Sequence, residues 1–195
     1  IGGVPGNRTT LIVVPIIASA GFLIPKSSSR AITTSGTADD MEILAPVILP
    51  KEKILKIVKK INACIVWGGN FNIAPADDVI INVEKELMFE SFDKIIISIM
   101  AKKIAFGSNH VIIDLPYGNT LKVTYLKDAI ILKNKFEYIA KKFNIKLEVL
   151  IHKTDEPAGR GIGPILEVKE SLMVLEQDPG RSLDLEAGSK SSLFR

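Results

Sequence analysis

Residues 51–69, KEKILKIVKKINACIVWGG, decide the fold class of this 195-residue chain. The first part repeats apolar residues at the spacing of one helix face: Ile54, Leu55, Ile57, Val58 and Ile61. The second part, ACIVW, is a continuous apolar run that ends at two glycines, as expected of a strand buried on both faces. A helix that leads directly into such a strand predicts an α/β protein.

Helices and strands continue to alternate on both sides of this stretch. Apolar periodicity predicts helices at 10–20, 37–44, 91–107, 127–144 and 165–176, and apolar runs predict strands at 21–25, 110–116 and 145–151. Thr37 is the expected N-cap of the helix at 37–44. The alternation predicts a largely parallel sheet that helices cover on both faces.

The length and composition suit one domain with a sizeable core, since 47% of the residues are hydrophobic. We assign residues 1–178 to one α/β domain. The periodicity is lost after it, and residues 179–195 are expected to form a linker or an exposed tail.

Charge and cysteine content argue against several classes of protein. The net charge is only +3, without a basic block, so we expect no nucleic-acid partner. The apolar stretch 11–25 is interrupted by Pro15, Ser19 and Gly21 and is short for a membrane span, so we expect no membrane association. The single cysteine, Cys64, allows no internal disulfide and fits a reducing, cytoplasmic location.

Polar segments follow each predicted strand, at 27–40, 68–78, 115–122 and 152–163. The carboxyl ends of parallel strands are where such folds bind ligands. Backbone N–H groups of the glycine-rich segment 1–7 and the hydroxyls and guanidinium of 29–37 would suit an oxyanion. The sequence contains neither a Walker phosphate loop nor histidines and cysteines at metal-ligand spacing, and we expect no metal.

Each of these features also has a purely structural interpretation. Either of the two segments suited to an oxyanion, 1–7 or 29–37, could alone be a tight turn followed by a helix cap. Lys102 could belong to a solvated helix face, Ser98 could pack on a neighbour, and Asp77 could cap a helix. The glycine-rich GRGIGP, residues 159–164, favours a structural turn that lets the following helix pack closely.

Five successive segments of this chain resemble the archaeal AMP phosphorylases, relatives of thymidine phosphorylase within the pyrimidine-nucleoside phosphorylase family. They are IGGVPGN (1–7), SSSRAITTSGTADDMEIL (27–44), CIVWGGNFNIAPADD (64–78), SIMAKKIAFGSNHVIIDLPYG (98–118) and GRGIGPILEVKESLMVLE (159–176). The resemblance runs in order over essentially the whole chain.

The resemblance implies a fold and a reaction. The fold is a three-layer α/β/α domain of the nucleoside phosphorylase and phosphoribosyltransferase type. The reaction is phosphorolysis of AMP by orthophosphate to adenine and ribose 1,5-bisphosphate, with phosphate as co-substrate and without a cofactor. The implied partners are the nucleotide, phosphate and, in the full-length protein, further copies of the same chain in a homo-oligomer.

The resemblance also implies roles for individual residues. AMP and phosphate would be bound by Gly3, Ser29, Arg30, Ala31, Ile32, Thr33, Thr34, Thr37, Ser98, Lys102 and Lys122. Glu90 stands where the family has an aspartate that protonates the leaving base. A carboxyl group near the base can act as a general acid if its pKa is raised. Asp77 is the alternative proton donor.

The chain departs from the family pattern at two places. The family has Lys-His-Ser directly before the position of Ile1, so we expect weak phosphate binding by these residues alone. The loop that contains Ser35, Gly36 and Thr37 is one residue shorter than usual. The alternatives are a thymidine or pyrimidine-nucleoside phosphorylase, a phosphoribosyltransferase, and an inactive nucleotide-binding fragment.

Overall fold

The computed structural model describes residues 8–28, 30, 35–70 and 91–182. Within these residues the chain forms two compact units. The first unit consists of the described residues up to 70 and those from 156 onward. The second unit consists of residues 91–155.

Six α-helices and four strands alternate along the described residues. They are α1 (Thr9–Ser19), β1 (Ile24–Ser28), α2 (Thr37–Leu44), α3 (Lys51–Ile61), β2 (Ala63–Trp67), α4 (Phe92–Ala105), β3 (His110–Tyr117), α5 (Leu126–Lys142), β4 (Lys146–Lys153) and α6 (Pro164–Leu175). A single 3-10 turn, Gly68–Asn70, follows β2. This alternation confirms the predicted α/β class.

The first unit contains the strand pair β1 and β2, which run parallel with Ile24 opposite Ala63 and Ser28 opposite Trp67. Helices α1 and α2 both pack against α6 and against β2. Apolar residues of these elements form its core: Leu11, Ile12, Val14, Ala38, Ala63, Val66, Val168 and Val174. Parallel pairing brings the carboxyl ends of β1 and β2 to the same edge.

The strand predicted at 21–25 lies three residues later, at Ile24–Ser28. The preceding residues still belong to the end of α1. Gly21 has φ +89° and donates its N–H to the carbonyl of Ala18, while Phe22 donates to Ile17. These bonds satisfy the last carbonyls of α1, as in a Schellman-type cap, and postpone the strand.

The N-cap of α2 is Gly36, so the prediction that Thr37 caps this helix is wrong by one residue. Asp39 at the third helical position accepts a hydrogen bond from the N–H of Gly36 at 2.8 Å. The carboxylate therefore satisfies the cap backbone from inside the helix, as the acidic half of a capping box does. Thr37 is the first residue of the helix proper.

The second unit pairs β3 with β4 in parallel register, from His110 opposite Lys146 to Tyr117 opposite Lys153. Apolar residues of α4 and α5 form one core with those of this strand pair. Phe136 and Leu132 of α5 are fully buried in it. The prediction that β3 is a wholly buried strand is wrong on one face, where Ile112 is half exposed. Both units confirm parallel pairing; the three-layer arrangement and the domain limits 1–178 and 179–195 stay predictions.

Candidate functional site

The edge where β1 and β2 end is closely packed, and it is where a parallel sheet is expected to bind ligand. Gly68 follows β2 so closely beside β1 that a Cβ there would contact the Ser27 side chain at 3.4 Å. The ring of Trp67 lies over Gly69, where a Cβ would be 2.5 Å from the ring. These two glycines let the backbone turn directly at the strand end.

Arg30, a predicted phosphate ligand, is held by α2. One nitrogen, Nη1, lies 2.8 Å from Oδ1 of Asp39 and 2.7 Å from Oε2 of Glu42, and the guanidinium stacks 5.6 Å from the centre of the Trp67 ring. The hydrogen bond from Arg30 lowers the pKa of Glu42. In this arrangement two carboxylates balance the Arg30 charge, and both pair with the same nitrogen.

Asp39 and Asp40 lie in the first turn of α2, as the sequence predicts, but their surroundings differ. Asp39 is partly exposed, whereas Asp40 is fully buried at 0% exposure. Burial and the nearby charge of Glu167 raise the pKa of Asp40 to about 7, against the effect of a hydrogen bond with Ser35. A carboxyl group with such a pKa changes its charge near neutral pH.

A buried polar cluster joins the start of α1 to α6 and the loop before it. Arg8, the N-cap residue of α1, is 6% exposed, and its Nη1 lies 2.7 Å from Oε2 of Glu170. Glu167 is also buried, with its Oε2 4.0 Å from Nε of Arg8. We call Arg8, Asp40, Glu167 and Glu170 the buried charge cluster.

The sequence pattern does not predict this cluster as a whole, although α6 carries one signal for it. Glu167 lies on the same stripe of α6 as Val168, Ser171 and Val174, all of which are buried. A glutamate within the apolar stripe of a helix requires a buried partner, because an isolated buried carboxylate is strongly unfavourable. That partner is Arg8, about 160 positions earlier in the sequence.

In the second unit, Ser98 and Lys102 lie on one face of α4, as their spacing predicts. The Nζ of Lys102 is 3.5 Å from Oγ of Ser98. Both side chains are half-buried. The two side chains are thus i,i+4 neighbours that form a small polar surface on α4.

Lys122 lies in the loop between β3 and α5, in an exposed position. The loop is fixed at its base, because Gly118 donates its N–H to the carbonyl of Val123 at 3.0 Å. Gly118 also lies against the end of β4, where a Cβ would overlap the carbonyl oxygen of Thr154. Glycine is therefore needed where the Lys122 loop meets β4.

A second polar group, which no sequence pattern predicts, lies across β3 and β4. Nε2 of His152 is 2.8 Å from Oδ1 of Asp114, and Nδ1 of His152 is 2.9 Å from Oγ1 of Thr154. The hydrogen bond with Asp114 is the main reason that the pKa of His152 is raised. Both ring nitrogens therefore have a polar partner.

Several predicted site residues lie outside the described part of the chain. They are Gly3, Ser29, Ala31, Ile32, Thr33, Thr34 and Glu90, together with the alternative acid Asp77. Among the residues that the structure does describe, no group of three or more histidine, cysteine, aspartate or glutamate side chains could hold a metal ion. None of the described helices is long and apolar enough to cross a membrane.

Comparison with known proteins gives clear relatives, although no family model matches the chain. The chain is 51% identical over 196 residues to the AMP phosphorylase of Thermofilum pendens, which covers the whole chain and 38% of that protein. It is 47% identical over 186 residues to a putative thymidine phosphorylase of Methylococcus capsulatus and 48% identical to one of Rhodopseudomonas palustris. These two matches cover 95% of the chain and 36% of each relative.

Proposed function

The chain belongs to the family of AMP phosphorylases and thymidine phosphorylases, and it spans somewhat more than a third of the length of these relatives. We propose that it supplies the nucleotide- and phosphate-binding region of an AMP phosphorylase. The observation that carries this proposal is the 51% identity to an AMP phosphorylase over the whole chain. The polar face of α4 and the polar end of β1 and β2 support it.

The proposed reaction exchanges one bond at the ribose. An oxygen of orthophosphate forms a bond to C1′ of AMP while the C1′–N9 bond breaks, and the electron pair of that bond leaves with adenine. A proton from a carboxyl group then neutralises the base, which lowers the barrier. Glu90 is the proposed donor, with Asp77 as the alternative, and both lie outside the described residues.

The proposed base-binding residues are Ser98 and Lys102. The proposal is supported by the distance of 3.5 Å between Lys102 Nζ and Ser98 Oγ and by the half-buried position of both side chains. Lys122, on a loop fixed by Gly118, is the third proposed contact. Positive charge near a departing base stabilises the negative charge that develops on it.

The proposed 5′-phosphate ligands are the segment from Ser29 to Thr34 and Thr37. Thr37 begins α2, and the N-terminal end of a helix favours anions. The paired Asp39 and Glu42 keep Arg30 at this position before ligand binds. We propose that phosphate takes the place of one of these carboxylates beside Arg30.

A location in the cytoplasm and a homo-oligomeric state complete the proposal. Cys64 is a free thiol whose pKa is raised by burial, which makes it a poor nucleophile and suits a reducing compartment. Sedimentation of the chain would report the oligomeric state.

Thymidine phosphorylase is the second candidate, because relatives with that name are 45–48% identical to the chain. The test measures base release from AMP, adenosine and thymidine with orthophosphate, using a chain extended on both sides to the length of its relatives. Release of adenine from AMP, with adenosine at least tenfold poorer, is the expected result. Faster turnover of thymidine would support the second candidate, and AMP binding without base release would leave a nucleotide-binding protein.

A further inference from the structure

We propose that Glu42 is an internal competitor, which occupies Arg30 until the 5′-phosphate of the nucleotide displaces it. Trp67 is the positioning residue that holds the Arg30 guanidinium during this exchange. The inference rests on the proposed function, because it takes Arg30 as a ligand of the 5′-phosphate. It goes beyond that function by naming the carboxylate that leaves and the ring that keeps the guanidinium in place.

Trp67 holds Arg30 through a contact for which an anion does not compete. The central guanidinium carbon of Arg30 lies 5.6 Å from the centre of the Trp67 ring, which is within the range of a cation–π contact. Such a contact uses the face of the ring and needs no hydrogen-bond acceptor. Carboxylates and phosphates, in contrast, bind the N–H groups of the guanidinium. The contact with Trp67 can therefore persist when one anion replaces another.

The ring of Trp67 is itself fixed at the end of its strand. Trp67 is the last residue of β2, opposite Ser28, and its N–H donates to the carbonyl of Val47 at 3.0 Å. Val47 is fully buried, so this bond connects Trp67 to the core. A Cβ at Gly69 would lie 2.5 Å from the ring, so a larger residue there would displace it. The ring thus offers Arg30 a fixed surface.

The two carboxylates on Arg30 differ in how firmly they are held. Asp39 binds Arg30 through Oδ1 and accepts the N–H of Gly36 through Oδ2, both at 2.8 Å. Within the described residues, the contact with Arg30 at 2.7 Å is the only ion pair or hydrogen bond of Glu42, whose side chain is 44% exposed. Displacement of Asp39 would also uncap α2, whereas displacement of Glu42 breaks one exposed ion pair. Glu42 is therefore the carboxylate that exchanges.

The charges at this position select for a phosphate. Asp39 and Glu42 together carry one negative charge more than Arg30 neutralises, so an incoming anion is repelled until Glu42 moves away. A phosphate monoester carries about two negative charges near neutral pH and presents several acceptor oxygens. It gains more from Arg30 than a singly charged carboxylate does, whereas a monovalent anion gains little by the exchange. The competition by Glu42 thus favours doubly charged ligands.

Removal of the competitor should strengthen phosphate binding. Glu42→Gln keeps the size of the side chain and removes its charge. We expect it to tighten AMP binding by roughly 2- to 5-fold, which is the range of an exposed ion pair. The gain should shrink at high salt, because salt screens exposed charges. Adenosine lacks the 5′-phosphate, so its affinity should not change.

Removal of the anchoring ring should act in the opposite direction. Trp67→Leu abolishes the cation–π contact, and we expect AMP binding to weaken by roughly 2- to 5-fold. Trp67→Phe keeps an aromatic face and should restore part of the affinity, since phenylalanine makes a weaker contact of the same kind. A purely structural role of Trp67 would lower the affinity for adenosine by the same factor.

The test is calorimetric titration of the extended chain with AMP and with adenosine, at low and at high salt. Glu52→Gln is the matched control, because it removes the same charge from an exposed position in the first turn of α3, in the same unit. Emission of Trp67, isolated as the difference from Trp67→Phe, reports binding at Arg30 directly. It should change more with AMP than with adenosine.

The competitor role is wrong if Glu42→Gln leaves AMP affinity unchanged or weaker, or if adenosine or Glu52→Gln shows an equal gain. The positioning role is wrong if Trp67→Leu weakens AMP and adenosine equally. If Trp67→Leu does not fold, Trp67→Phe decides, and it must lower the affinity for AMP more than for adenosine.

Base release separates the inference from the proposed function. If the unaltered extended chain binds AMP but releases no base, the proposed reaction fails, while tighter AMP binding by Glu42→Gln still supports the inference. If neither the unaltered chain nor Glu42→Gln binds AMP, the inference is overturned as well.

Discussion

Nε2 of His152 lies 2.8 Å from Oδ1 of Asp114, across the two parallel strands of the second unit. The register places His152 opposite Pro116, so Asp114 is its diagonal neighbour on the same face of the sheet. The other ring nitrogen lies beside Thr154. The imidazole is therefore oriented by partners on both sides, at the strand end that leads into the loop before α6.

The first prediction concerns the charge of His152. Asp114→Asn should lower the pKa of His152, because the carboxylate is the main cause of its raised value. Proton NMR titration of the imidazole measures the change. Asp155→Asn is the matched control, since Asp155 pairs with Lys153 and not with His152. If the pKa of His152 is the same in both variants, Asp114 is not the cause of its raised value.

The sign of the linked stability follows from the direction of this shift. A histidine whose pKa is raised by folding stabilises the protein fully below the pKa of the unfolded chain, near 6.5. The contribution disappears as the pH rises through the higher folded value. The effect should be small, since the ring is 46% exposed and water screens the pair.

Asp40 gives a pH dependence of the same sign, but in a lower pH window. Its pKa rises on folding from 3.8 to about 7, so between these values the folded chain holds a proton that the unfolded chain has lost. The free energy of unfolding should therefore fall as the pH rises across this window and become level above it. The shift corresponds to at most about 4 kcal/mol.

Asp40→Asn should remove this pH dependence while keeping the size of the side chain. Urea unfolding at several pH values between 4 and 8 measures it. The groups that face Asp40 are Arg8, Glu167, Asp39 and Ser35, and the variant leaves all of them in place. Asp128→Asn, in the first turn of α5, is the control and should retain the wild-type slope. A slope that persists in Asp40→Asn would assign the titration to another group.

The role of Thr37 is tested by comparing a nucleotide with its nucleoside. Hydrogen bonds to a charged group contribute about 1.5–3 kcal/mol, so Thr37→Val should weaken AMP binding by roughly 10- to 150-fold. Adenosine lacks the 5′-phosphate and should lose far less. Thr34→Ala should give the same pattern. Calorimetric titration of the extended chain measures the affinity for both ligands. Equal losses of affinity for AMP and adenosine would show that the 5′-phosphate binds elsewhere.

Lys102 should contribute to base binding through its position beside Ser98. Lys102→Met keeps the alkyl chain and removes the donor, and we expect it to raise KM for AMP by roughly 10- to 100-fold. Lys103→Met, one position along the same helix, changes the overall charge equally and serves as the control. An equal effect of both variants would indicate a general loss of positive charge instead of a specific contact.

Glu90 is expected to protonate the leaving adenine. Glu90→Gln keeps the size of the group and removes its proton, so kcat should fall by about 10²- to 10⁴-fold while AMP binding changes little. Single-turnover release of adenine measures the chemical step. An unchanged rate would transfer the role to Asp77, and Asp77→Asn is then the variant to measure.

Apolar periodicity predicted the elements well because local packing determines them. The predicted helix at 51–63 and strand at 63–67 appear as α3 and β2, and the spacing of Ser98 and Lys102 places them on one face. The error at β1 arose because Phe22 and Leu23 are apolar, although both are 67% exposed and follow the glycine cap of α1. Apolar character alone does not show where a helix cap ends.

The buried charge cluster was not predictable in the same way. Arg8 and Glu170 look like ordinary surface residues in sequence, and only the fold brings them within 2.7 Å. Likewise, the spacing of Asp114 and His152 becomes meaningful only when the register of β3 and β4 is known. Local patterns give elements, whereas polar contacts between distant segments depend on the complete topology.

The pairing of Arg8 with residues 158–161 also has a consequence for how the chain folds. The hydrogen bonds from Arg8 close loops of 150 and 153 residues, and the entire second unit lies within them. The second unit is continuous in sequence and can collapse through nearer contacts, whereas the first must wait for its last helix. During synthesis from the N-terminus, α1 and α2 therefore leave the ribosome long before α6, and the faces that pack on α6 stay uncovered by it until it arrives.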